Sequence, residues 1–162
     1  MSTIGFDTSN YTTSTAWTDG KTDINVRQIL YVKDGERGIR QSDGVFQHMK
    51  LMPVMYEKLS EQIDFKDVKA VGVSTRPRCV EGSYMPVFLA GEGYAKVVAN
   101  TLGVPLYEFS HQDGHIMAGI YSSGSFELLE NDFISVHLSG GTTEILKSRY
   151  NGFYFDNEII GG

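Results

Sequence analysis

The stretch STIGFDTSNYTTSTAWTDGKTDINVRQIL, residues 2–30, decides the fold. Ile4 and Phe6 alternate with Gly5 and Asp7, the period of two expected of a strand with one buried face, and the reading gives a strand over 2–9. Residues 13–18 are rich in threonine and carry Ala16 and Trp17, a second strand. Residues 23–32 hold Ile24, Val26, Ile29, Leu30 and Val32, a third. The links at 10–12 and 19–22 are too short for a crossover, so the three strands are antiparallel neighbours. Asp19-Gly20 in the second link is a hairpin turn pair.

Further on, the period becomes helical. A helix over 44–62, capped by Ser42 or Asp43, places Val45, Met49, Met52, Met55, Tyr56 and Leu59 on its apolar face. Pro53 should kink or divide it. Residues 69–75 form an apolar run with a polar exit, as in a buried parallel strand. A helix over 87–102 stops at Gly103-Val104-Pro105, a short strand takes 106–109, and Ser110 opens a helix from His111 to about Tyr121. Strands restart at 133–138, 142–150 and 152–159, the first two joined by Ser139-Gly140-Gly141.

This order is α/β: a ribonuclease-H-like lobe with a mixed sheet over 1–123, resembling a lobe of the actin-like ATPases (the ASKHA fold). The opening strands of a second, similar lobe follow over 124–162. A bare meander leaves edges and an apolar face uncovered. The expectation is a truncated chain, or one completed by a protein partner or a second copy in a dimer.

Composition narrows the function. Of 162 residues, 41 % are hydrophobic, enough to bury a core. Fourteen basic residues against twenty acidic ones give a net charge of −6, which opposes autonomous binding to nucleic acid. The one cysteine, Cys79, excludes an intramolecular disulfide. The first residues lack the basic and apolar pattern of a signal peptide, and no apolar run approaches the ~20 residues of a membrane span. The reading is a cytoplasmic protein without membrane contact.

Three motifs carry chemistry. Asp7 ends the first strand and runs into Thr8-Ser9-Asn10, where a carboxylate can hold magnesium and the N–H groups can meet a phosphate, or where the hydroxyl residues only build the hairpin. Ser139-Gly140-Gly141-Thr142 offers a second such turn, with glycines that let a phosphate approach, or a plain glycine hairpin. His111 and His115 stand at i, i+4 on one helical face, a divalent-metal spacing. The residue after His111 is Gln112, where H-E-x-x-H metalloproteases place their base, and Ser110-x-x-Asp113 fits a capping box.

Together these motifs resemble the catalytic subunit of the tRNA threonylcarbamoyladenosine synthase, the threonylcarbamoyltransferase or glycoprotease family. Its Gly-Ile-Glu/Asp-Thr-Ser turn is matched by residues 5–9. Its H-x-E-G-H helix is matched by 111–115 with Asp113 for Glu, and its Ser-Gly-Gly-x-Thr turn by 139–143. The resemblance covers the chain but only the amino-terminal half of a full member. It implies iron or zinc on His111 and His115, with His137 where some members have a tyrosine ligand. It also implies ATP or an acyl-adenylate on the two turns, with tRNA contact supplied through a complex. Asn10-Tyr11-Thr12-Thr13 stand where members carry Cys-Asp-Glu-Thr, so the acidic pair is absent, Thr142 stands for their histidine, and the loop starting Arg76-Pro77-Arg78 replaces a Gly-Pro-Gly loop, so a catalytically silent scaffold is the alternative. Arg76 and Arg78 suit a phosphate or carboxylate, or surface ion pairs.

Overall fold

The computed structural model describes residues 1–36, 38–138 and 143–162. Strands β1 (Ser2–Asp7), β2 (Thr12–Thr18) and β3 (Asp23–Ile29) form the antiparallel meander, helix α1 (Gln41–Ser60) follows, then β4 (Val68–Arg76), α2 (Phe88–Leu102), β5 (Leu106–Ser110) and α3 (His111–Ser123). The five strands make one sheet in the order β3-β2-β1-β4-β5, with β1, β4 and β5 parallel. A second antiparallel sheet, β6-β7-β8, is built from Phe133–Leu138, Thr143–Tyr150 and Phe155–Gly161. Two short 3-10 turns, Phe65–Asp67 and Phe126–Glu130, complete the described elements and carry no sequence period that announces them.

The first sheet's apolar face is closed by α1 and α2. Ile4, Phe6, Val71 and Val73 pack with Met52, Leu59, Ala95 and Ala99 into one buried cluster. Phe6 stacks on Tyr56 with ring centroids 5.8 Å apart. The opposite face carries small residues, among them Gly5, Ala16 and Gly72, until β5, where Tyr107 and Phe109 meet Phe153 and Tyr154 of the turn before β8.

Several boundaries differ from expectation for visible reasons. Helix α1 starts at Gln41, and neither Ser42 nor Asp43 caps it. The Gln41 side chain instead reaches Asn10 and the Val87 N–H, tying the helix start to two loops. Strand β3 stops at Ile29 because the Gln47 side chain holds both the N–H (2.8 Å) and the carbonyl (2.9 Å) of Tyr31 against α1. Strand β8 starts late because Asn151 Oδ1 accepts from the N–H groups of Phe153 and Tyr154, an Asx turn with Gly152 at φ +96°.

Pro53 does not divide α1, which runs unbroken from Gln41 to Ser60. Proline removes the N–H that would bond the carbonyl four residues back. That carbonyl, of Met49, accepts the Tyr94 hydroxyl of α2 at 2.9 Å instead. The helix phase also differs: Met49 is exposed, and His48 faces the core beside Met52, Met55 and Leu59. No helix of the described residues is long and apolar enough to cross a membrane.

Candidate functional site

Parallel strands β1, β4 and β5 bring their carboxyl ends to one edge of the sheet, the edge where open α/β sheets bind ligands. Asp7 closes β1 there, and His111 opens α3 directly after β5. The turn into α3 is fixed by a complete capping box: Ser110 Oγ accepts the Asp113 N–H at 3.0 Å, and Asp113 Oδ2 accepts the Ser110 N–H. The backbone N–H of Gln112 donates to the Pro77 carbonyl, anchoring the same turn to the loop after β4.

With α3 so placed, three side chains fall in line. Asp7 Oδ2 lies 2.8 Å from His111 Nδ1, and His111 Nε2 lies 2.8 Å from His115 Nε2. The His137 ring, on β6, stands edge-on beside His115 with centroids 5.7 Å apart. Among the described residues no three His, Cys, Asp or Glu groups converge as a complete metal cage. The arrangement is a two-imidazole grip with a third imidazole alongside. Its chemistry fits zinc or iron: neutral imidazole suits both metals, and a carboxylate on the far ring nitrogen is a common outer partner of such ligands.

Burial acts to raise the Asp7 pKa. The hydrogen bond and charge of His111, with hydrogen bonds from Ser74 and Ser9, outweigh it and hold Asp7 at about 2. His115 is lowered from its ordinary value, first by burial and then by the charges of His111 and His137. A neutral imidazole is the form that ligates metal.

Asp7, expected as a strand-end ligand for magnesium, is placed among protein donors. Oδ1 accepts the Ser9 N–H at 2.8 Å while Oδ2 meets His111, so both oxygens already hold protein donors. Thr8 and Ser9, expected to meet a phosphate, also have partners within the protein. The Thr8 hydroxyl is wholly buried and inserted in the first turn of α2, donating to the Val87 carbonyl (2.9 Å) and accepting the Gly91 N–H (3.0 Å). It joins those two groups at the start of the helix. Gly91 is required there, since an added Cβ would lie 2.8 Å from Thr8 Oγ1. The Ser9 carbonyl accepts the Thr12 N–H, which makes the hairpin. Ser139, Gly140, Gly141 and Thr142 lie outside the described residues.

One cluster went unread in the sequence. Glu144, buried on β7, pairs with Arg78 of the loop after β4 and accepts Gln112 Nε2 at 3.1 Å. Arg78 thus grips a carboxylate of its own chain, and Gln112 is a structural amide where a metalloprotease places its base. Arg76 bonds Thr75 Oγ1 and approaches Cys79 Sγ. Nothing local in the sequence marks Glu144, because its partners stand 66 and 32 residues away.

Comparison with known proteins adds a family. The model of the TsaD family, tRNA N6-adenosine threonylcarbamoyltransferase, matches residues 35–159. A protein of that name from Christiangramia forsetii is 33 % identical over 112 residues, 68 % of this chain and 31 % of the relative. Another from Pyrobaculum calidifontis is 28 % identical over 144 residues, 88 % of this chain and 40 % of the relative. The chain therefore spans less than half the length of these relatives. Among solved structures, YeaZ from Pseudomonas aeruginosa superposes with a TM-score of 0.55 at 12 % identity, covering 100 % of this chain and 65 % of its own. EutJ from Carboxydothermus hydrogenoformans gives 0.51 at 18 % identity, covering 100 % and 53 %. At such identity these likenesses speak for the fold alone, and that fold is the actin-like, ASKHA type.

Proposed function

The chain belongs to the TsaD family of tRNA N6-adenosine threonylcarbamoyltransferases, and from that premise we propose that it carries the metal- and nucleotide-binding part of a transferase that passes a threonylcarbamoyl group to adenosine in tRNA. The observation that carries the reading is the pair of converging imidazoles, His111 and His115, at the carboxyl edge of the sheet with Asp7 behind and His137 beside. These histidines would hold a divalent iron or zinc, which when bound supplies Lewis acidity for a carbonyl or phosphoryl oxygen.

The chain's own residues define the rest. The capping box sets the angle at which α3 presents both imidazoles. Ser139, Gly140, Gly141 and Thr142 are the residues proposed, on their sequence, to meet the phosphates of ATP or of an acyl-adenylate. A net charge of −6 supports a role in which a protein partner supplies most of the tRNA contact, in the cytoplasm.

Metal content of the purified chain, measured by mass spectrometry after dialysis, tests this reading. One iron or zinc per chain is expected in the wild type and none in His115→Ala. A metal-free wild type overturns it. A second reading, a silent scaffold of the same fold, is favoured by Arg78, whose charge is taken up by Glu144 and not left facing the crevice. Thermal shift with ATP and metal separates the two, because a scaffold gains no stability from the nucleotide.

A further inference from the structure

We propose that Asp7 is a positioning residue for the two-histidine grip: its carboxylate fixes His111 in the Nδ1–H tautomer, so that the Nε2 lone pair of His111 faces His115. The purpose of this device rests on the metal reading above; its content rests on hydrogen-bond geometry. A carboxylate only accepts, so the proton in the 2.8 Å contact between Asp7 Oδ2 and His111 Nδ1 belongs to the imidazole. In the neutral form of His111, the form in which it would ligate a metal, Nδ1 holds the single N–H and Nε2 is a lone pair. His115 Nε2, 2.8 Å away, then donates the hydrogen of the second contact. A metal held between the rings would find the His111 lone pair already aimed at it, while His115 would give up its Nε2 proton to solvent and take one at Nδ1, staying neutral with its Nε2 lone pair free.

Asp7 is itself held from behind, since Oδ1 accepts the Ser9 N–H at 2.8 Å. The His111 ring also lies against Phe88, with centroids 6.2 Å apart, which limits its rotation. The carboxylate and the ring sit on the last residue of β1 and the first of α3, two elements fixed by the sheet. Without an acceptor at Nδ1, the His111 proton is free to occupy Nε2 and block the grip. Outer carboxylates of this kind change metal affinity by about 10–100-fold.

The test uses the full chain. Nitrogen-15 imidazole spectra of the metal-free protein report the tautomer directly, and cobalt(II) titration followed by visible absorption reports the grip. The expected wild-type spectrum has His111 protonated at Nδ1 and bare at Nε2. Asp7→Ala should lose that tautomer preference and weaken cobalt binding about 10–100-fold, with an unchanged far-ultraviolet dichroism spectrum. Should Asp7→Ala not fold, Asp7→Leu keeps the approximate size and offers no acceptor, and cobalt affinity should still fall about tenfold. A wild-type His111 protonated at Nε2, or a folded Asp7 variant with undiminished cobalt affinity, overturns the proposal. A wild type that takes no cobalt yet shows the Nδ1–H tautomer removes the metal reading and leaves Asp7 as the group that orients His111.

Discussion

Ile4, Phe6, Val71 and Val73 on the five-stranded sheet are at most 3 % exposed, while Ile134, Val136 and Leu138 on the three-stranded sheet are between 57 and 74 % exposed. The first set lies under α1 and α2. The second shares the outer face of its sheet with Ile145, and no described element covers it. The inner face of the three-stranded sheet behaves otherwise: Leu146, Ser148 and Phe155 are buried, and Glu144 pairs across to Arg78. The difference teaches where order comes from. The first sheet is organised by its own helices, so Asp7 and His111 stand on a self-supporting frame. The second is held through one face, and that face is the one that brings His137 toward the site.

The largest test of this contrast is a matched pair of truncations. Phe6→Ala should lower unfolding free energy by about 3–5 kcal/mol, since the ring leaves a cavity that packed helices cannot close. Val136→Ala, on the bare face, should stay within about 0.5 kcal/mol. Urea denaturation followed by circular dichroism measures both. Equal losses would mean that the outer face of the second sheet is covered in solution.

Acid should strike the first sheet next. His48 is fully buried, with Nδ1 2.8 Å from the Thr13 hydroxyl and Nε2 without a partner among the described residues. Burial pushes its pKa down from 6.5 to about 4, against a partly opposing pull from Asp7. The unfolded chain therefore binds the proton first. Stability is whole above pH 6.5 and declines as the pH falls toward 4, where the loss levels off. At about 1.4 kcal/mol per pKa unit the full loss is about 3 kcal/mol. Replacing the imidazole by an uncharged amide, His48→Gln, should flatten that slope between pH 6.5 and 4 in the same urea assay. An unchanged slope would place the titrating group elsewhere.

How much of this was legible depends on distance along the chain. The meander was legible because Ile4 and Phe6 alternate within one strand, and the imidazole pair because His111 and His115 stand one turn apart. The burial of His48 was not, because the methionine run around it pulls the helix phase one residue onward to Met49. The Thr8 hydroxyl inside α2 joins groups 79 and 83 residues apart, and the Asp7–His111 contact joins groups 104 apart. Local period carries no trace of either. The sequence marked Thr8 and Asp7 as polar groups at a strand end, which is correct, but their partners decide what they do.

The pair that joins the two sheets comes third. Arg78→Ala leaves the Glu144 carboxylate buried with Gln112 as its remaining side-chain partner among the described residues, a loss of about 1–3 kcal/mol. Hydrogen exchange should locate the damage: amides of β7 gain exchange while those of β1 and β4 keep their protection. Uniform loss across both sheets would show that the three-stranded sheet is as self-supporting as the first.

Smallest in stability, and most direct on the comparison, is charge placed on the bare face. Ile134, Val136, Leu138, Ile145 and Ile160 expose apolar area that water penalises, and a second copy of the chain presents the same surface to cover it. Self-association in sedimentation velocity is the expected behaviour of the wild type, driven by that face. Val136→Lys puts an ammonium at its centre while its backbone keeps its place between Phe133 and Leu138 in the β6 ladder with β7. The variant should sediment as a monomer with unfolding free energy within about 0.5 kcal/mol of the wild type, since a surface substitution disturbs no packed contact. A wild type that sediments as a monomer at every concentration would assign the face to a different protein, and then only that protein's binding, not the chain's own stability, should respond to the charge.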